Sequence, residues 1–318
     1  MRSMNYKIIF SATLLLAVSL MLWMNQKPEF APQSGNSEVN SETTPLIESP
    51  AEVREAAYTI PRTLRYRFLA TNRTGEMLEK VKLTMFSPLA ATATQKTVKL
   101  SANETFKVIE DALGNRIMEF AIDRVPPYAT MVFNIETQLM MADKPQPLTT
   151  GSNDIYLQNG PLYDLDNEEI IMVANKLRSQ NEAGTARAIY DWVKNNLDYS
   201  GYIASDRGAS YAILTKQGDC TEYAYLLAAL ARINNIPARI MAGFVYANNA
   251  ILRPYDYHNW VELYVDDSWQ IVDPLNDVFF ESKASHVALR VLGGKGQLSY
   301  LGSQKGIESD PRLEVKMQ

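Results

Sequence analysis

Cysteine and histidine are scarce in this chain, and it has no excess of positive charge. Its 318 residues include one cysteine, Cys220, and two histidines, His258 and His286. These side chains cannot supply the four ligands of a structural zinc site, and a single thiol excludes an intramolecular disulfide. Lys and Arg total 31 against 36 Asp and Glu, a net charge of -5, which argues against nucleic-acid binding. We expect no metal, no cofactor and no nucleic-acid partner.

The N-terminal segment has the pattern of a membrane anchor or an export signal. Arg2 and Lys7 precede an almost unbroken apolar run from Ile8 to Met24. The run lies near the lower limit for a bilayer span of about 20 residues. No small-residue cleavage site ends it, which favours an uncleaved anchor over a removed signal. With the positive charges on the cytoplasmic side, residues 1–27 are predicted to hold a single-pass protein in the inner membrane, with its soluble domains on the periplasmic side.

Two segments of contrasting composition follow the apolar run. Residues 28–57 are rich in Pro, Ser, Thr, Asn and Glu, so they cannot bury a core and are predicted to be a disordered linker. In residues 58–145, apolar side chains alternate with polar ones, as at Leu64, Tyr66 and Phe68. This period of two predicts antiparallel strands. The length fits an immunoglobulin-like β-sandwich, which we expect to act as a spacer or to orient a substrate.

Residues 155–318 are predicted to form a second domain, and they contain the reactive groups. Asp166, with Glu169 three residues later, makes a capping-box-like helix start, and apolar residues then recur at helical spacing. A second helix is predicted from about Thr185. A further helix opens at Cys220 and ends before Pro237. In the first turn of a helix, unpaired backbone N–H groups and the dipole favour a thiolate over a thiol. A lone cysteine is more often a small buried apolar residue, so the thiol needs partners before it indicates chemistry.

Those partners come from two strands joined at Asp266-Asp267. A two-residue loop makes Val265 oppose Ser268, which places Asp273 diagonal to His258 on one face of the hairpin. A loop two residues longer keeps this arrangement, whereas a loop of three residues would send the two side chains to opposite faces. Diagonal Cβ atoms are about 7 to 8 Å apart or less, a gap that His and Asp side chains can close with a hydrogen bond.

The three side chains fit cysteine-dependent acyl transfer. Cys220 would attack a carbonyl carbon, His258 would hold the thiolate as an ion pair and then protonate the leaving amine, and Asp273 would orient the imidazole. The oxyanion needs fixed donors, of which the backbone N–H of Cys220 is one. The second donor stays open among four upstream residues, Tyr199, Tyr202, Tyr211 and Gln217.

Taken in order, the motifs resemble those of the transglutaminase-like superfamily of papain-type cysteine enzymes. They are Gly-x-Cys ending at Cys220, Arg-Ile-Asn-Asn-Ile-Pro-Ala-Arg at 232–239, His-x-Trp beginning at His258, and Trp-x-x-Val-Asp-Pro ending at Pro274. The likeness runs over about residues 155–276. It implies an α+β fold in which a cysteine helix packs on an antiparallel sheet, with the β-sandwich as a preceding domain of the same architecture.

The resemblance also implies a function. Cys220, His258 and Asp273 are expected to be the catalytic triad, and His286 a structural histidine in a later core strand. Animal transglutaminases carry Trp where this chain has Thr221, which argues against calcium-triggered protein crosslinking. The leading hypothesis is an enzyme that hydrolyses or transamidates an amide bond in a peptide or protein. The alternative is a catalytically silent binding or maturation module at the cell envelope.

Overall fold

The computed structural model describes residues 57–148, 153–292 and 307–318. The predicted anchor, residues 1–27, and positions 28–56 of the predicted linker lie outside these residues. Within the described ranges, every helix is too short or too polar to cross a membrane.

The first part of the described chain forms two antiparallel sheets. Its strands are β1 (Ile60–Asn72), β2 (Leu78–Ser87), β3 (Gln95–Ala102), β4 (Lys107–Glu110), β5 (Arg116–Val125) and β6 (Thr130–Met141). Strands β1, β6 and β3 are neighbours in one sheet, and β2, β5 and β4 in the other. The predicted alternation is confirmed, because Leu64, Tyr66 and Phe68 are buried while the arginines between them are exposed. The two apolar faces share one core, as expected of a sandwich.

The second part combines helices with a mainly antiparallel sheet. The helices are α1 (Glu168–Leu177), α2 (Glu182–Asn196), α3 (Gly208–Thr215) and α4 (Cys220–Ile233). The strands are β7 (Asp198–Tyr199), β8 (Gln217–Gly218), β9 (Ala238–Val245), β10 (Ala250–Ile251), β11 (Tyr257–Val265), β12 (Ser268–Asp273), β13 (Val278–Phe279) and β14 (His286–Leu292). Five of these form a sheet in the order β13-β12-β11-β9-β14.

Helix α4 is the centre of this second part. It is buried from Thr221 to Arg232, and its apolar side chains share a core with Val261, Leu263 and Val265 of β11. The α+β class and the cysteine helix packed on an antiparallel sheet are therefore confirmed. One detail of the sequence interpretation is wrong: α1 is capped by Asn167, whose side chain accepts from two backbone N–H groups, and not by Asp166.

The hairpin that carries the predicted histidine and aspartate has the predicted register. Val265 pairs with Ser268 and Val261 with Val272, so the connection is the two-residue Asp266-Asp267 loop. Both aspartates have positive φ angles, 52° and 58°. Two consecutive residues in the left-handed region of backbone conformation are typical of a type I′ turn, whose twist matches that of the paired strands.

Three strands that come later in the sequence pair with strands of the first part. Strand β10 pairs with β1 in parallel, and β16 (Leu313–Met317) pairs with β1 antiparallel. The backbone of β15 (Ile307–Ser309) pairs with β2. The C-terminal residues of the predicted second domain thus lie in the sheets of residues 58–145. The domain boundaries drawn from the sequence stay predictions.

Candidate active site

The thiol of Cys220 lies at the first residue of α4, where a capping box starts the helix. The Asp219 Oδ1 atom accepts from the backbone N–H of Thr221 at 2.8 Å, and Glu222 Oε2 accepts from the N–H of Asp219 at 3.1 Å. This reciprocal pair satisfies donors that the first turn leaves free. Cys220 itself is half-buried, so the thiol is both accessible and close to the positive end of the helix dipole.

Gly218 leaves the space that the capping box needs. A Cβ atom at this position would lie 2.4 Å from the Cβ of Glu222, far inside van der Waals contact. Gly218 pairs with Tyr199 in the short parallel ladder between β7 and β8. This ladder holds the segment before the cysteine next to the upstream tyrosine.

The loop before α3 is tied to the same helix start. Asp219 Oδ2 accepts from the N–H of Ile203 at 2.8 Å, and Glu222 Oε1 accepts from the N–H of Arg207 at 2.8 Å. Burial raises the pKa of Glu222 despite the backbone hydrogen bonds that oppose this shift. Ile203 and Arg207 are therefore tied to Asp219 and Glu222, the residues that start α4 around Cys220.

The imidazole of His258 contacts a buried carboxylate and lies near the thiol. Its Nε2 atom lies 2.8 Å from Asp273 Oδ2, and Cys220 is close enough to the ring to help raise its pKa. Burial alone would lower the pKa of His258, but the hydrogen bonds to Asp273 and Cys220 outweigh it and raise the pKa to about 10. The ring is therefore an imidazolium at neutral pH, which is the form that stabilises a thiolate.

Asp273 is held in place by several donors. Its Oδ1 accepts from the backbone N–H groups of Leu275 and Asn276, at 3.1 and 3.3 Å. Its Oδ2 accepts from the side-chain amide of Asn276 at 2.7 Å in addition to His258. Burial raises the pKa of Asp273, but hydrogen bonds from two histidines, His258 and His286, outweigh it and bring the pKa below the usual range.

A second contact joins the residues that follow the cysteine and the histidine. The amide of Asn259 donates to Thr221 Oγ1 at 3.0 Å, and both side chains are buried. This hydrogen bond links α4 to β11 one residue beyond Cys220 and one residue beyond His258. Thr221, the position at which the chain departs from animal transglutaminases, therefore fixes the approach of the helix to the strand.

The structure places His258 Nε2 2.8 Å from Asp273 Oδ2, with Cys220 near the same ring. That these three residues form a catalytic triad stays a prediction. Of the four candidates for the second oxyanion donor, Tyr199 is close enough to the thiol to respond to its charge: burial raises the pKa of Tyr199, and Cys220 and Asp219 add to the shift. Sequence reasoning missed the contact of Asn276 with the carboxylate, and it predicted only a structural role for His286. Within the described residues, there is no group of three or more Cys, His, Asp or Glu side chains able to hold a metal ion.

A thiol, an imidazole and a carboxylate around a helix that packs on an antiparallel sheet define a transglutaminase-like fold. Comparison with known proteins agrees: residues 171–274 match the family model of the transglutaminase-like superfamily. Residues 171–274 of the chain are therefore transglutaminase-like.

Three further proteins are similar to parts or most of the chain. A candidate cysteine protease from Cytophaga hutchinsonii has a TM-score of 0.51 and 19% identity, covering 82% of this chain and 91% of that one. The periplasmic domain of TgpA from Pseudomonas aeruginosa has a TM-score of 0.36 and 17% identity, covering 71% and 90%. UPF0252 protein MJ1282 from Methanocaldococcus jannaschii is 26% identical over 129 residues, 37% of this chain. The match spans about a third of the length of that curated relative, 36%.

Proposed function

We propose that the protein is a cysteine-dependent acyl-transfer enzyme that hydrolyses or transamidates an amide bond in a peptide or protein. The observation that carries the proposal is the His258 ring, which lies 2.8 Å from the buried carboxylate of Asp273 and is close enough to Cys220 for that side chain to help raise the pKa of the ring. Such an arrangement places a proton donor and its orienting carboxylate beside a nucleophile.

In the first half of the reaction, the Cys220 thiolate attacks the carbonyl carbon of the amide. The backbone N–H of Cys220 and the hydroxyl of Tyr199 donate to the oxyanion. The His258 imidazolium then transfers its proton to the amide nitrogen, the C–N bond breaks, and the amine leaves. The acyl group remains bound to sulfur as a thioester.

In the second half, neutral His258 accepts a proton from water or from an acceptor amine. The oxygen or nitrogen attacks the thioester carbon, the C–S bond breaks, and the thiolate returns beside the imidazolium. Hydrolysis and transamidation differ only in this acceptor. The roles of Cys220 and His258 are the same in both reactions, so an experiment has to identify the acceptor.

Alkylation of Cys220 by iodoacetamide in the full-length chain, followed by intact-mass spectrometry, tests the proposal. At pH 6 we expect the folded protein to react at least roughly tenfold faster than the same chain unfolded in urea, because an ordinary thiol is almost fully protonated there. His258→Ala should remove the difference. Equal rates in the wild type and the variant would contradict the proposal and leave the silent binding or maturation module.

The acyl donor and the acceptor can be found together. Incubating the protein with a peptide library and a labelled amine, and then analysing Cys220 by mass spectrometry, would trap the thioester and reveal whether water or the amine removes it. Tyr199→Phe, which removes one hydroxyl, should slow acylation without changing the rate of alkylation, since alkylation forms no oxyanion.

We also propose that the enzyme acts on the periplasmic side of the inner membrane, tethered by residues 1–27. The support is the sequence: Arg2 and Lys7 flank the apolar run on its N-terminal side. Fractionation of membranes, with protease digestion of intact spheroplasts, tests this. Protection of the catalytic residues from added protease would contradict it.

A further inference from the structure

A second imidazole contacts the same carboxylate oxygen as His258. His286 opens β14, and its Nε2 lies 3.0 Å from Asp273 Oδ2, the atom that also accepts from His258. The His286 side chain is almost fully buried, with 1% of its surface exposed. An ionised carboxylate can only accept, so the Nε2 atoms of both rings carry protons directed at one oxygen.

The other contacts of His286 fix its tautomer and its orientation. Ser285 Oγ lies 3.3 Å from Nδ1, so the hydroxyl can donate to this nitrogen while Nε2–H donates to the carboxylate. The Trp260 ring meets the His286 ring edge-on, with the two centroids 5.0 Å apart. The Trp260 ring also stacks on the His258 ring, with centroids 6.3 Å apart. One indole thus separates the two imidazoles, and Asp273 connects them.

A glycine in β9, Gly243, allows Trp260 and β14 to pack closely around the two histidines. Gly243 pairs with His258 on one side and with Ala288 of β14 on the other. A Cβ atom at Gly243 would lie 2.0 Å from the carbonyl oxygen of Val287 and 3.1 Å from the Trp260 ring. The missing side chain lets β14 and Trp260 approach closely.

Sharing of one carboxylate oxygen has an electrostatic consequence. Each donor to Oδ2 stabilises the negative charge there and so reduces the pull of that charge on the proton of His258. Among the hydrogen-bond and ion-pair partners found in the described residues, the charged groups facing His286 are Asp273 from β12 and, beyond it, His258 from β11. Ser285 and Trp260 carry no charge.

We infer that His286 is a positioning residue for His258: it holds Asp273 Oδ2 in place and takes up part of its charge, so that the His258 imidazolium can release its proton to a leaving group. This inference rests on the proposed function, in which His258 acts as the general acid. A proton held too strongly by the carboxylate would make the ring a poor acid. Among the contacts of His286 with the described residues, the hydrogen bond to Asp273 is the one that leads to His258, so His286 acts through that carboxylate.

The test is an NMR titration of the histidine rings in the full-length chain. The chain has only two histidines, so His286→Phe leaves the His258 ring as the single signal. Phe keeps a flat ring against Trp260 and removes the donor. We expect the pKa of His258 to rise by about one unit, the equivalent of one hydrogen bond to a charged group. His286→Gln, whose amide N–H can reach the same oxygen, should stay near the wild-type value.

Ser285→Ala is the second variant if His286→Phe fails to fold. It removes the donor to Nδ1 and should produce a smaller shift in the same direction. An unchanged pKa of His258 in a folded donor-free variant, or equal behaviour of the Gln and Phe variants, would overturn the inference and leave His286 structural. Failure of the proposed function is recognised separately, by alkylation that does not depend on His258, while the titration still reports on the imidazole pair.

Discussion

Asp273 sets the charge of the site, because it is the buried anion that keeps His258 protonated. The pKa of His258 is raised from 6.5 to about 10, so the stabilisation of the fold by this ring is complete below about pH 6.5. It is lost as the pH rises through about 10. The pKa of Asp273 is lowered, so its own contribution is present above about pH 4 and is lost as the pH falls further.

Asp273→Asn should therefore reduce stability most between about pH 4 and 6.5. We expect a loss of about 3 kcal/mol in that window, as for other broken buried pairs. The difference from wild type should shrink towards pH 10. Urea unfolding at several pH values measures this. Asp277→Asn is the matched control, because Asp277 is an exposed carboxylate paired with Lys194. A difference that grows between about pH 6.5 and 10 would contradict the assignment.

Thr221 and Asn259 form the other residue-level feature that can be tested. Thr221→Val keeps the shape of the side chain but leaves the buried amide of Asn259 without its acceptor. We expect a loss of about 1 to 3 kcal/mol in the free energy of unfolding, together with slower alkylation of Cys220, since α4 is then less firmly joined to β11. Thr221→Ser should restore both. If Val and Ser variants behave alike, the contact does not fix the helix.

At the level of elements, the local parts of the site could be predicted from the sequence. The start of α4 follows from Asp219 and Glu222 flanking the cysteine, and the face shared by His258 and Asp273 follows from parity within one hairpin. His286 is different, because it reaches the carboxylate only after β14 has paired with β9. No period or spacing in the sequence encodes which existing strand a later strand will join.

The hairpin turn itself is not optimised for its conformation. Asp266 and Asp267 both adopt positive φ angles, which most residues other than glycine disfavour. An Asn-Gly pair adopts this conformation more readily than Asp-Asp. Replacing the pair by Asn-Gly should raise the unfolding free energy by about 0.5 to 1 kcal/mol and leave alkylation of Cys220 unchanged. Thermal unfolding measures this. Asp267→Ala, which removes the carboxylate without relieving the backbone, should give no gain; a gain there would point to charge repulsion instead.

In the whole molecule, the sandwich and the sheet that contains β14 are joined by buried polar contacts. The Gln95 amide accepts from the backbone N–H of Ala288 at 2.8 Å and donates to its carbonyl oxygen at 3.1 Å. Asn115 does the same for Val291, accepting at 2.6 Å and donating at 3.0 Å. Both side chains thus cover the open edge of β14, the strand that carries His286. From the sequence, residues 58–145 are interpreted as a spacer or a substrate-orienting domain. The contacts of Gln95 and Asn115 with β14 could not be predicted, because single amide side chains on distant strands follow no sequence pattern.

We therefore predict that residues 155–318 will not fold without the preceding sheets. Removing the sandwich would expose apolar side chains that share its core, among them Phe244, Val287 and Leu289, at about 25 cal/mol for each Å² of apolar surface returned to water. It would also take away β1, the strand with which β16 pairs. Circular dichroism and urea unfolding of the fragment should show no cooperative transition, and Cys220 should alkylate at the rate of the unfolded chain. A chain lacking only residues 1–56 is the matched control and should keep both properties. Cooperative unfolding of the fragment with rapid alkylation would make the sandwich a separable docking domain.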